Sequence, residues 1–162
     1  MSDLIHTYTV NTTWKGNTGA GTLRVDAYSR LHDVHITGKP VLELTTDDKT
    51  HGNKSVLNPE DLLVSAISSC HMLSYLYLCA KSGVVILDYH DTAVGTMIEK
   101  AKGGGQFKEV VLHPVFVVKE EGMQEKAIRL HAKAHEICYI ANSVNFEVQI
   151  KPTCTVMKQD KH

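Results

Sequence analysis

Residues 58–81 read NPEDLLVSAISSCHMLSYLYLCAK, and this stretch decides the fold. It opens with asparagine, a preferred N-cap, followed by a proline and two acidic residues, which suit the first turn and the positive end of a helix dipole. The pattern predicts a helix that begins here and runs to about Lys81. The following Ser82-Gly83 is a typical helix stop.

The predicted helix carries no charged side chain over most of its length. The nineteen residues from Leu62 to Ala80 include no Asp, Glu, Lys or Arg. They satisfy the length criterion for a membrane span, but four serines and His71 make the stretch too polar for easy insertion. A helix that is apolar nearly all round is buried on all sides. We therefore expect it to be central to the fold and to pack against a second chain.

The flanking sequence predicts a mixed α+β protein. Alternation and β-branched content predict strands at 4–12, 23–27, 34–36, 41–44, 84–98, 107–120 and 144–150. Gly103-Gly104-Gly105 suits a hairpin turn between two long strands, and Met123–Ala141 has the periodicity of a second amphipathic helix. A polar linker is predicted over Thr45–Ser55. We expect one domain, residues 1–162, with two principal helices.

Composition narrows the class of function. The chain has 162 residues with 17 basic and 18 acidic side chains, a balance that argues against an electrostatic nucleic-acid or membrane binder. The opening MSDLIHTYTV does not resemble a signal peptide, so a cytoplasmic location is expected. Four cysteines are too few for a disulfide scaffold and suit core residues, metal ligands or redox-active thiols. Cys79 and Cys154 lie in ordinary contexts and are predicted to be packed.

Cys70 and Cys138 are the candidate reactive cysteines. Cys70 lies among Ser68, Ser69 and His71, a polar cluster in an apolar helix, and Cys138 lies at a similar polar break near the end of the second helix. An isolated buried cysteine behaves as a small hydrophobe, and that simpler interpretation has about even weight for each. One cysteine on each helix at a polar break is what a redox pair would require.

A reactive cysteine also needs a cation that stabilises its thiolate and lowers its pKa from about 8.5. Cys70 is too far along its helix for the helix dipole to do this. The chain has three arginines. Arg24 and Arg129 fall on polar faces, so Arg30 is the candidate by elimination, with a solvated surface role as the alternative.

Histidines on the second helix leave a metal site open. His131, His135 and Cys138 have the spacing i, i+4, i+7, which places them on one helical face and suits three zinc ligands. Cys70 or His71 would be the fourth. A polar edge that happens to carry histidines explains the same spacing and is the more frequent case.

These residues carry a resemblance to a known family. The sequence LNPEDLL at 57–63, with Ser69-Cys70 at a ten-residue offset from Glu60, resembles the OsmC/Ohr family of thiol peroxidases. A second cysteine in a later helix, Cys138, and the early Trp14-Lys15-Gly16 are similar to the same family.

The resemblance implies an α+β fold of antiparallel sheets with two principal helices. The first helix would be central and buried in an intertwined homodimer, with active sites at the subunit interface. It also implies a peroxidatic Cys70, a resolving Cys138 and a Glu60 that orients an arginine. A ten-residue helical offset is about 15 Å, so Glu60 is expected to serve the Cys70 of a neighbouring subunit, directly or through Arg30. Its simpler role is that of an acid at a helix N-terminus.

The sequence thus predicts a cytoplasmic thiol peroxidase for organic hydroperoxides, with hydrogen peroxide as a further candidate substrate. It would act in oxidative-stress defence through a sulfenic acid and a Cys70–Cys138 disulfide, with an external dithiol as reductant. No metal and no organic cofactor are expected. The alternative is a non-enzymatic OsmC-like dimer that binds an apolar ligand or a metal in its interface pocket. Five apolar residues of the first helix suit either a pocket lining that accommodates organic hydroperoxides or the core of the dimer: Leu62, Leu63, Ile67, Met72 and Leu73.

Overall fold

The structure is a computed structural model, and it describes residues 4–47 and 52–158. Residues 1–3 of the opening and residues 48–51 of the predicted linker lie outside the described residues. The chain divides into two compact units, Met1–Leu62 and Leu63–His162. Each is described by itself.

The first unit contains an antiparallel sheet of three strands. Its strands are β1 (Asn11–Trp14), β2 (His32–His35) and β3 (Leu42–Leu44), paired in the order β1-β2-β3. The two later strands confirm the predictions near 34–36 and 41–44. The strand predicted over 4–12 is wrong for most of its length, because regular pairing begins only at Asn11.

The strand predicted over 23–27 is also wrong. Leu23 and Val25 are exposed, so the alternation that suggested a strand has no apolar surface to cover. The segment instead forms turns, in which Arg24 forms an ion pair with Asp26 at 2.6 Å. An ion pair between residues two positions apart favours a turn. In an extended strand the same two side chains would point to the same face but would lie farther from each other.

The predicted first helix is confirmed as α1 (Pro59–Lys81). Asn58 is its N-cap, and its side-chain oxygen accepts a hydrogen bond from the Asp61 amide at 2.8 Å. The Asp61 carboxylate in turn accepts a bond from the Asn58 amide at 3.1 Å. This reciprocal pair satisfies amides that a helix start leaves unpaired, which is the arrangement of a capping box.

The end of α1 is the predicted glycine stop. Gly83 has a φ of 71°, a left-handed conformation that side chains with a Cβ rarely adopt. The Val84 amide donates to the Cys79 carbonyl at 2.9 Å, and the Gly83 amide donates to the Ala80 carbonyl at 3.3 Å. These two bonds form a Schellman motif, which satisfies the last carbonyls of the helix.

Only one face of α1 is buried within this chain. The buried residues recur every four positions: Ile67, His71, Tyr75 and Cys79. Leu73 and Tyr77 on another face are exposed. The expectation of burial on all sides is therefore not met by the single chain, and its second-chain part stays a prediction. Among the described residues, α1 is the one helix long and apolar enough to cross a membrane by length and composition, a test that core helices of soluble proteins also pass.

The second unit contains two three-stranded sheets. The strands are β4 (Ile86–Asp91), β5 (Val94–Glu99), β6 (Gly105–Leu112), β7 (Pro114–Val118), β8 (Glu147–Ile150) and β9 (Thr153–Val156). One sheet has the order β4-β7-β9 and the other β5-β6-β8. The predicted α+β class with two principal helices is confirmed. The expected antiparallel pairing is present in β4–β7 and β5–β6, and the parallel pairs β6–β8 and β7–β9 make both sheets mixed. They are parallel because the connection through the second helix returns the chain in the same direction.

The two long strands predicted over 84–98 and 107–120 are each broken in two. The hairpin turn with Gly103 and Gly104 at positive φ is confirmed. Beyond it, both arms pass from one sheet to the other near Asp91. The Asp91 carboxylate accepts bonds from the His113 amide at 2.7 Å and from the Ser68 hydroxyl at 2.6 Å. Periodicity continues through such a break, so the sequence pattern did not reveal it.

The second helix is α2 (Gln124–Ile137), shorter than predicted. Cys138 is its C-cap and has an extended ψ of 106°. The Asn142 side chain donates to the Glu136 carbonyl at 2.9 Å, and the Asn142 amide donates to the Cys138 carbonyl at 3.0 Å. These bonds satisfy carbonyls at the helix end, so the chain leaves the helix before the predicted Ala141.

Candidate functional site

The second unit brings the side chains of Cys70 and Cys138 together. Cys70 lies in the middle of α1, and Cys138 caps the C-terminus of α2. The pKa of the Cys138 thiol is raised to about 11, chiefly by burial and then by a hydrogen bond with the Cys70 side chain. Both thiols are free. Two residues 68 positions apart in the sequence thus form one thiol pair.

The two thiols differ in their access to solvent. Cys138 is 0% exposed, whereas Cys70 is half-buried. Cys70 lines an open pocket of about 600 Å³, which we call the thiol pocket; its lining residues are Cys70, Leu73, Ser74, Tyr77, Ile137 and Tyr139. A thiol at the wall of a pocket can meet a small molecule, and a buried thiol beside it can react only with its neighbour.

The thiol pocket is largely apolar and aromatic. Tyr77 is 58% exposed and Tyr139 is 83% exposed, so both rings stand at the pocket mouth. Of the predicted lining, Leu73 is present, but Ile67 is fully buried in a core cluster with Val110 and Leu112.

Tyr77 and Tyr139 were not among the predicted pocket residues, although their positions in the sequence indicate that they lie near the two thiols. Tyr77 lies two turns beyond Cys70 on α1, and Tyr139 directly follows Cys138. A helical projection of α1 from Cys70 would have placed Tyr77 on the same face.

Arg30 and Glu60 line the same pocket in the first unit. The Arg30 pocket has a volume of about 360 Å³ and is lined by Trp14, Thr22, Tyr28, Arg30, His32, Thr45, Thr46, Pro59 and Glu60. The Arg30 guanidinium lies over the Tyr28 ring at 4.2 Å from the centroid and donates to the Tyr28 carbonyl at 2.7 Å. A cation and a carboxylate line one cavity, with Glu60 also in the first turn of α1.

The other two arginines have local partners. Arg24 forms an ion pair with Asp26, and Arg129 forms one with Glu125 on the same helix. Both arginine side chains are about two-thirds exposed, at 70% and 67%. The elimination that favoured Arg30 is consistent with these positions. The sequence prediction that Arg30 stabilises Cys70 stays a prediction.

The histidines do not assemble a metal site. Among residues 4–47 and 52–158, no three His, Cys, Asp or Glu side chains come together as a group that could hold a metal ion. His131 instead forms a hydrogen bond with His71 at 2.9 Å and stacks on Tyr75. The i, i+4, i+7 spacing that suggested zinc is therefore explained by packing for His131 and by the thiol pair for Cys138.

The remaining cysteines have packing environments. Cys79 is buried in a core cluster with Tyr75 and Phe116, and burial raises the pKa of its thiol. Cys154 on β9 is half-buried against the same cluster, and burial raises its pKa as well. Neither lines the thiol pocket. The prediction that both are packed is consistent with these positions.

Comparison with known proteins gives the family. The model of the OsmC-like protein family matches residues 51–153. An OsmC-like protein of unknown function from Vibrio cholerae, VCA0330, is 29% identical, with a TM-score of 0.81 over 91% of this chain and 99% of that one. An organic hydroperoxide resistance protein from Elizabethkingia anophelis is 20% identical, with a TM-score of 0.70 over 96% of this chain and all of that one (100%).

A third solved structure also has a similar fold. The organic hydroperoxide resistance protein OsmC from Legionella pneumophila is 21% identical, with a TM-score of 0.69 over 95% of this chain and 100% of that one. The similarity extends over nearly the full length of the compared proteins, and the family match includes Glu60, Cys70 and Cys138. The chain belongs to the family of OsmC-like proteins.

Proposed function

We propose that the protein is a thiol peroxidase that reduces organic hydroperoxides, with hydrogen peroxide as a further substrate, in defence against oxidative stress. The observation that carries the proposal is the pairing of a half-exposed Cys70 with a fully buried Cys138. Two proteins of similar fold are named organic hydroperoxide resistance proteins, which supports a role in hydroperoxide reduction.

The proposed reaction begins at Cys70. Its thiolate attacks the terminal oxygen of the hydroperoxide, an S–O bond forms and the O–O bond breaks. The sulfur is oxidised by two electrons to a sulfenic acid, and the departing alkoxide takes a proton and leaves as an alcohol. Cys70 suits this step because it reaches the pocket, whereas Cys138 does not.

Cys138 performs the second step. Its sulfur attacks the Cys70 sulfenic acid, an S–S bond forms and water leaves. Because burial raises the pKa of Cys138 to about 11, this thiol stays protonated near neutral pH and does not compete for the peroxide. An external dithiol then reduces the disulfide by thiol–disulfide exchange, and both thiols are restored.

The thiol pocket sets the substrate class. Its leucine, isoleucine and two tyrosines favour an apolar organic group attached to the peroxide. The same lining favours the second candidate function, a non-enzymatic protein that binds an apolar ligand beside Cys70. The two differ in one result: only the peroxidase consumes peroxide and forms a disulfide.

Arg30 and Glu60 are proposed to serve Cys70 in a homodimer. A guanidinium stabilises a thiolate and the negative charge that develops on the departing oxygen. The support for this role is that Arg30 and Glu60 line one pocket, where a carboxylate can orient the guanidinium.

Replacing Arg30 with glutamine should slow the alkylation of Cys70 by iodoacetamide about tenfold near neutral pH, because the thiolate fraction falls. The matched control is Arg24→Gln, which removes an exposed arginine paired with Asp26. Rates are measured by mass spectrometry of the Cys70 peptide. Equal rates in both variants and the wild type would exclude Arg30 from the site.

The proposed partners follow from the same chemistry. A second copy of the chain would cover the exposed apolar face of α1, where Leu73 and Tyr77 are accessible in the single chain. The other partners are a small hydroperoxide and an external dithiol, in the cytoplasm, with neither nucleic acid nor membrane.

One equivalent of tert-butyl hydroperoxide should convert the reduced protein to a form with a Cys70–Cys138 disulfide and leave Cys79 and Cys154 as thiols. Alkylation before and after oxidation, read by peptide mass, measures this. Cys154→Ser is the control and should behave as the wild type, because that thiol does not line the thiol pocket. Four free thiols after exposure to peroxide would favour the non-enzymatic binder.

A further inference from the structure

Two buried histidines form a hydrogen-bonded pair between α1 and α2. His71 Nε2 lies 2.9 Å from His131 Nδ1, and the ring planes are only 13° apart. His71 is 1% exposed and His131 is 3% exposed. Histidine is seldom this deeply buried, and two in contact in a core call for an explanation.

The histidine pair links the same two helices as the thiol pair. His71 directly follows Cys70 on α1, and His131 lies seven residues before Cys138 on α2. Seven residues are about two helical turns, so His131 and Cys138 lie near the same face of α2, about 10 Å apart along its axis. The His71–His131 bond therefore fixes α1 against α2 close to the point where the two sulfur atoms meet.

The surroundings keep both rings neutral. The pKa of His71 is lowered to about 4, chiefly by burial and then by His135, while Asp91 partly opposes the shift. The pKa of His131 is lowered to about 3, chiefly by burial and then by His71. Tyr75 stacks on His131 with ring centroids 3.8 Å apart. One neutral ring donates its N–H, and the other accepts it through its unprotonated nitrogen.

The outer nitrogens of the pair, His71 Nδ1 and His131 Nε2, are buried without a protein partner. A further proton would place an additional N–H there, and burial penalises the charge that it brings. Burial therefore favours the uncharged form of the pair, in which one facing nitrogen donates and the other accepts.

We infer that His71 and His131 are positioning residues, which hold α1 and α2 so that Cys70 and Cys138 stand at disulfide-forming distance. Two thiols that are held in place form a disulfide more readily than two that must be brought together, because less conformational freedom is lost. The catalytic meaning of this inference rests on the proposed function. The disulfide equilibrium itself can be measured without any peroxide.

The test is the equilibrium of the Cys70–Cys138 disulfide with glutathione. Two protein thiols are oxidised to the disulfide, and one oxidised glutathione is reduced to two thiols. His131→Leu removes the His71–His131 hydrogen bond and should lower the equilibrium constant for disulfide formation about tenfold. This corresponds to a change of about 30 mV in the reduction potential of the two-electron couple. His131→Asn places an amide near the Nδ1 position and should stay within about twofold of the wild type.

Leu130→Ala is the matched control for general loss of packing. Leu130 is buried on α2 next to His131 but takes no part in the His71–His131 hydrogen bond. This variant should lower the melting temperature and leave the disulfide equilibrium unchanged. If His131→Leu does not fold, His131→Gln replaces it, because its longer side chain misplaces the amide and should act as Leu does.

Two outcomes would overturn the inference: an equal shift in Leu130→Ala, or none in His131→Leu and His131→Gln. Peroxide consumption decides the proposed function separately. If the His131→Leu substitution shifts the disulfide equilibrium but the wild type consumes no peroxide, the positioning role of the histidine pair stands and the peroxidase function is rejected. If the wild type consumes peroxide but the substitution leaves the equilibrium unshifted, the peroxidase function stands and the positioning role is rejected.

Discussion

Cys70→Ser should abolish the consumption of tert-butyl hydroperoxide, with a loss of about a thousandfold or more relative to the wild type. A serine hydroxyl remains protonated near neutral pH and lacks the nucleophilicity of a thiolate toward the peroxide oxygen. Cys70 is the thiol that lines the pocket, and buried Cys138 cannot take its place. The measurement is peroxide loss with excess dithiothreitol as the reductant.

Cys138→Ser separates the two steps of the same reaction. Without an added thiol, this variant should consume one equivalent of peroxide and stop at the Cys70 sulfenic acid, which dimedone traps. Cys154→Ser is the control and should turn over as the wild type does. Full activity in Cys70→Ser would refute the assignment of the nucleophile. An inactive wild type would instead refute the peroxidase.

Acidification from about pH 7 to about pH 5 should lower the free energy of unfolding by about 4 kcal/mol through His71 and His131, on the order of 2 kcal/mol for each. Both pKa values are lowered in the folded protein, to about 4 and about 3. The unfolded chain, with histidine pKa values near 6.5, binds protons first. Stability is therefore fully present above about pH 6.5 and is lost as the pH falls toward the folded values.

Urea unfolding at several pH values measures this loss. The double variant with His71→Leu and His131→Leu removes both groups and should lose most of the pH dependence over this range. Replacing both partners of a buried hydrogen bond by apolar side chains of similar size leaves no orphaned donor. His90→Gln is the control, because His90 is exposed, and should retain the wild-type dependence. A double variant as pH-sensitive as the wild type would contradict the prediction.

Helix starts and stops could be read from the sequence because their causes are local. The cap at Asn58, the Schellman motif at Gly83 and the hairpin at Gly103 each depend on residues within a few positions. The strand predicted over 23–27 is wrong because its formation depends on contacts that are not local. Alternation records which residues could share a face, but burial of that face depends on what lies opposite, and Leu23 and Val25 have nothing to cover them.

The candidate site divides in the same way. Cys70 and Cys138 could be singled out from their local context, and Glu60 through the resemblance to a known family. The thiol pocket, with Tyr139 at its mouth, could not be recognised, because its walls come from two helices distant in sequence. The break near Asp91, where the chain passes from one sheet to the other, could not be predicted either. It depends on the Asp91 carboxylate, which accepts a hydrogen bond from an amide 22 residues away.

The sequence alone determined the two helices, the α+β class and the identity of the thiols, since propensity, capping and periodicity act over a few residues. Tertiary structure decided that Cys138 is buried while Cys70 faces a pocket, and that His131 pairs with His71. These outcomes depend on which faces of α1 and α2 meet. Packing between elements more than fifty residues apart fixes that, and no local pattern encodes it.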